Sequence, residues 1–86
     1  MGNFIGGSAY AMSRDIAEGY ILLNAALLKK FSSAELAQLR HELERVRTEI
    51  RGEQTPTNDV QAIQKRARKI SRISSALLIL DTLRKR

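Results

Sequence analysis

At 86 residues the chain has room for one small domain, and a domain of this size buries only about 60–65% of its unfolded surface. It contains no cysteine and a single histidine, His41, so disulfides, thiolate metal sites and a histidine-built zinc site are excluded. The net charge of +6 is uneven: residues 60–86 hold eight of the fifteen Lys/Arg and one acid, Asp81, whereas residues 1–59 hold seven basic and eight acidic side chains.

Abundant Ala, Leu, Glu, Arg and Lys, few aromatics and one proline (Pro56) predict an all-α fold. No apolar run reaches the 18 or so residues of a membrane-spanning helix; the longest, "YILLNAALL" at 20–28, reads as a core segment. The N-terminus has no basic stretch ahead of an apolar one, and "MGNFIG" departs from the M-G-x-x-x-[ST] acylation pattern because Gly6 stands where Ser or Thr is required. The expected setting is cytoplasmic, with no membrane insertion.

In chain order, residues 1–12 are glycine-rich and aperiodic and read as a flexible arm, with Phe4 and Ile5 available to dock on the domain; Met12 is an alternative start. A single helical-bundle domain is expected over 13–86. Its first helix is predicted over about 13–30, with Ser13 as N-cap and an apolar stripe of Ile16, Tyr20, Leu23, Leu27 and Phe31. Gly19, inside that helix, costs about 1 kcal/mol relative to alanine.

The second helix, about 33–51, has the strongest local signature. In "FSSAEL" Ser32 and Glu35 form a capping box, and Phe31 and Leu36 a hydrophobic staple. Leu36, Leu39, Leu43, Val46 and Ile50 follow in 3-4-3-4 spacing, the seam of a coiled-coil-like pair. Arg40–Glu44 and Arg45–Glu49 are i,i+4 pairs on the wet side, where His41 is a spectator. Gly52 is placed to terminate the helix, Pro56 sits in a turn, and Thr57 or Asn58 is the expected cap of the next helix.

The third helix is predicted over about 59–84. Val60, Ile63, Ala67, Ile70 and Ile73 share one side, and Lys65, Arg68, Lys69 and Arg72 lie almost opposite, with Arg66 at the edge of the apolar face. Leu77, Leu78, Ile79, Leu80 and Leu83 point in every direction, so this segment needs covering all round. The helix is two to three turns longer than its antiparallel neighbour. Ile79 and Leu80 are expected to stay exposed in a monomer and to mark an interface.

The expected architecture is thus an up-down-up three-helix bundle with a long C-terminal helix, assembled as a homodimer. There is no phosphate loop, no metal-ligand spacing and no nucleophile beside a base, so neither catalysis, cofactor nor metal is expected. The leading functional expectation is a helical oligomerising module that docks another protein, with Leu77, Leu78, Ile79, Leu80 and Leu83 as the interface. The alternative is nucleic-acid binding, with Lys65, Arg66, Arg68, Lys69 and Arg72 on phosphates. No aromatic is interleaved among those cations to stack on bases.

Overall fold

The computed structural model describes Phe4, residues 7–53 and residues 58–84, with the backbone alone for Arg84. It is all-helical among those residues, with α1 Ala9–Glu18, α2 Ala25–Leu28, α3 Ser33–Arg51 and α4 Val60–Arg84 packed on one another. The turn at Pro56, the Thr57 cap, Ile5 and the Gly6 position of the acylation pattern lie outside the described residues.

The N-terminal region differs from the sequence-based expectation in two ways. First, α1 starts at Ala9, not at residue 13, because Ser8 is extended and its hydroxyl accepts from the Ala11 N–H at 3.1 Å. Ala9 and Met12 belong to the core, which rules out a flexible arm reaching residue 12. Ser13 is no cap but a buried residue of the helix interior, and its hydroxyl donates to the Ala9 carbonyl at 2.8 Å.

Second, the helix expected over 13–30 is broken. Gly19 adopts a left-handed backbone (φ 87°), the Tyr20 N–H donates to the Asp15 carbonyl and the Gly19 N–H to the Ile16 carbonyl. This pair of bonds is the Schellman stop, which a glycine makes without steric cost. Asn24 then opens α2, its side-chain oxygen accepting from the Leu27 N–H at 2.8 Å. The break turns Tyr20 and Leu22 out to solvent while Leu23 and Leu28 enter the core.

Helix α3 carries both halves of the capping box, Glu35 N–H to the Ser32 hydroxyl and Ser32 N–H to the Glu35 carboxylate. Leu39, Leu43, Val46 and Ile50 are fully buried and Leu36 is half-buried, so the 3-4 seam faces the core. Gly52 ends the helix in a right-handed conformation rather than a left-handed one. Phe31 receives the ring of Phe4 edge-on at 5.4 Å.

Asp59 opens α4, accepting the Ala62 N–H on its carboxylate at 3.0 Å. Two contacts set the pairing of α4 with α3: Arg40 meets Asp81, and Arg66 meets the Glu53 carbonyl, so the two helices run antiparallel. This register places the extra length of α4. By this register Arg51, the last residue of α3, lies opposite residues 68–70, so α4 extends past it at its N-terminal end by about 12–15 Å. Val60, Ile63 and Ala67, expected on the core side, are therefore exposed and Ile70 is half-buried, whereas Ile73, Ala76, Leu77 and Leu80 complete the core.

Candidate docking face on the C-terminal helix

The five apolar residues of the expected interface separate by environment. Leu77 and Leu80 are buried within the chain, so their assignment to an exposed interface is corrected: the core that α1 and α3 form over the second half of α4 already covers them. Leu78 stays 68% exposed, and Ile79 and Leu83 are half-buried. They meet solvent beside the segment that follows the Gly19 break, where Leu22 is 84% exposed.

Between that segment and α4 lies an open groove of about 260 Å³, whose walls include Ile16, Leu22, Arg72, Ser75 and Ile79. Ile79 is shared with a second concavity of about 310 Å³, lined by Ala25, Leu78, Ile79, Thr82 and Leu83. Sequence reasoning missed Leu22 and Ala25 because it placed both inside one continuous helix. The signals that would have found them are Gly19 as a stop and Asn24, five residues on, as a start.

The five cations of the expected phosphate grip also separate. Arg72 Nη1 donates to the Ala17 carbonyl at 3.0 Å, and Lys69 Nζ lies 3.1 Å from Glu18. Both hold the C-terminal end of α1, where unpaired carbonyls and the helix dipole favour positive charge. Arg66 Nη1 donates to the Glu53 carbonyl at 2.9 Å, just past the end of α3. Lys65 and Arg68 are exposed and make no hydrogen bond or ion pair among the described residues. Lys65, Arg68, Lys69 and Arg72 nevertheless line one concavity, of about 300 Å³, together with Glu18.

A second polar cluster ties α1 to α3. The Tyr10 hydroxyl donates to Glu49 at 2.9 Å, Arg14 and Arg45 lie 3.9 and 3.6 Å from the same carboxylate, and the Arg45 guanidinium sits 5.1 Å over the Tyr10 ring. The hydrogen bond to Glu49 raises the Tyr10 pKa above its ordinary value, with burial adding to the effect. Asp81, the one acid of the C-terminal segment, is held by Arg40 through Nε at 2.7 Å and Nη2 at 3.3 Å. That hydrogen bond, together with Glu44, raises the Arg40 pKa.

Among the described residues no group of three or more His, Cys, Asp or Glu side chains could hold a metal ion, and no helix is long and apolar enough to cross a membrane. What the α4 face offers is shape, apolar surface and two unengaged cations. Comparison with protein-family models, with curated sequences and with solved structures finds no match for this chain.

Proposed function

We propose that the chain is a non-catalytic helical interaction module that seats a helix in the groove between residues 19–28 and the C-terminal half of α4. The observation that carries this reading is the pair of exposed leucines, Leu22 and Leu78, standing beside two apolar concavities joined at Ile79. Contiguous exposed apolar surface of this kind marks interaction sites, and i,i+3/i+4 anchors are how a helix fills such a groove.

Without another partner the same apolar end pairs with itself, and this gives the homodimeric bundle suggested by the terminal segment. Such a dimer covers Leu78, Ile79 and Leu83 of each copy and leaves both cationic stretches outside. Light scattering across micromolar concentrations tests the groove: mass rises toward two chains, and Leu78→Glu or Leu22→Glu returns it to one. A chain that stays monomeric, and whose binding of an amphipathic leucine-rich peptide neither substitution weakens, defeats the reading.

Phosphate binding is the second reading, and the two unengaged cations, Lys65 and Arg68, favour it. It predicts binding of a nucleic-acid duplex that falls steeply with salt, with a shallower slope in Lys65→Gln/Arg68→Gln.

A further inference from the structure

The open face of α4 changes chemistry along its length. Gln61, Lys65, Arg68, Arg72, Ser75 and Ile79 follow one another at three- or four-residue intervals and form one stripe. Four concavities run along it and share residues end to end: Lys65 and Arg68 join the first two, Arg72 the next, and Ile79 the last. The result is a furrow of adjoining concavities, cationic at the N-terminal end of α4 and apolar at the C-terminal end. Between those ends lie Ser71, Ser75 and Ala76, small side chains that let a second backbone approach closely.

We infer that this furrow seats an amphipathic helix of another protein, acidic at one end and apolar at the other. The inference rests on the docking role proposed above and names the partner. Charge complementarity decides its chemistry: Lys65 and Arg68 make no ion pair among the described residues, Glu18 in the same concavity being engaged by Lys69, and an acidic segment supplies the missing partner. Arg68 and Ile79 are eleven residues apart on α4, so the acids and apolar anchors of the partner stand about 16 Å apart, three helical turns.

A second copy fits the whole furrow poorly. Two α4 helices packed antiparallel set the cations of one copy against Ile79 and Leu83 of the other, and packed parallel they set cation against cation. Each chain also carries a net charge of +6. A nucleic acid would satisfy the two cations and leave Leu22 and Leu78 in water.

The test uses the full chain and a labelled synthetic helix of about 20 residues, roughly 30 Å long, with glutamates on one face of its first half and leucines on the same face of its second half. A second peptide carries glutamine for each glutamate. Anisotropy titrations at low salt should show the acidic peptide bound about three- to tenfold more tightly, as expected of two partly exposed charge contacts. That advantage should vanish in Lys65→Gln/Arg68→Gln and shrink with added salt, while self-association of the +6 chain strengthens with salt. Leu78→Glu should weaken both peptides alike, and Leu22→Glu provides the same test at a second exposed position.

Equal affinity for the two peptides, or an advantage that survives Lys65→Gln/Arg68→Gln, overturns the acidic partner while leaving the groove standing. Peptide binding indifferent to both leucine substitutions removes the groove as well. A homodimer sensitive to Leu78→Glu that the acidic peptide fails to displace assigns the furrow to a second copy and overturns the inference. So does a DNA duplex that depends on Lys65 and Arg68 and outcompetes the acidic peptide.

Discussion

Leu78 and Leu80 stand two residues apart on α4 in opposite environments, the first 68% exposed beside Leu83 and the second fully buried in the core. Their substitutions should therefore separate assembly from stability. Leu80→Ala should cost about 2–5 kcal/mol, the range for deleting a buried leucine side chain, and in a domain of this size that approaches the whole margin. Leu78→Glu should move stability by no more than about 0.5 kcal/mol, as an exposed change does, while abolishing self-association. Urea unfolding followed by circular dichroism, beside light scattering, reads both effects. Equal destabilisation by the two would mean that Leu78 is packed.

Gly19 is both the stop of α1 and a seat for Arg72. With φ at 87°, any side chain at this position is strained, and a Cβ would lie 3.1 Å from the Arg72 guanidinium carbon. The flexible arginine can yield, so the backbone sets the cost. Gly19→Ala should destabilise by about 1–2 kcal/mol. Arg72→Gln, which loses one hydrogen bond to the Ala17 carbonyl, should cost about 0.5–1.5 kcal/mol. Thermal melts of the two variants give the order; a neutral Gly19→Ala would show that residues 9–30 can run on as one helix.

The same glycine shows how far the sequence could be read. The capping box of Ser32 and Glu35 is a local pattern whose partners lie within one turn, so spacing alone revealed it and the buried seam behind it. The apolar stripe from Ile16 to Phe31 is equally apolar whether the chain continues as a helix or breaks and restarts. Periodicity therefore could not separate one long helix from α1 and α2, and Gly19 and Asn24 carried the only distinguishing signal. The position of the α4 overshoot depended on register, which side-chain contacts such as Arg40 with Asp81 fix across 41 residues. Helical spacing puts Lys65, Arg68, Lys69 and Arg72 on one side of α4, where they line one concavity, but spacing carries no sign that Lys69 and Arg72 are drawn to the end of α1.

Arg40 and Asp81 hold the start of α3 to the end of α4 with side chains 29% and 39% exposed. A double-mutant cycle with Arg40→Met and Asp81→Asn should give a small favourable coupling, as for a well-aligned but partly solvated pair. The coupling should shrink at about 1 M salt, where charges are screened beyond roughly 3 Å. Zero coupling at low salt would mean that the buried seam and the Arg66 contact with the Glu53 carbonyl hold α3 and α4 in register without this pair.

Tyr10 supplies a pH-dependent contact between α1 and α3. Its hydroxyl donates to Glu49, which favours the neutral phenol, so its folded pKa is raised above the ordinary value. The contribution of this contact to stability is therefore fully present below the unfolded tyrosine pKa of about 10, and it is lost as pH rises through the folded value. Because Tyr10 and Tyr20 are the two tyrosines of the chain, Tyr20→Phe leaves one phenolate absorbance to follow. In that background Tyr10 should titrate above the free amino acid. Glu49→Gln should bring it back down, by removing both the charged acceptor and its negative field. Arg45→Met should push it further up, because the Arg45 charge lowers it. An unchanged titration in Glu49→Gln would show that the phenol does not hold that carboxylate in solution.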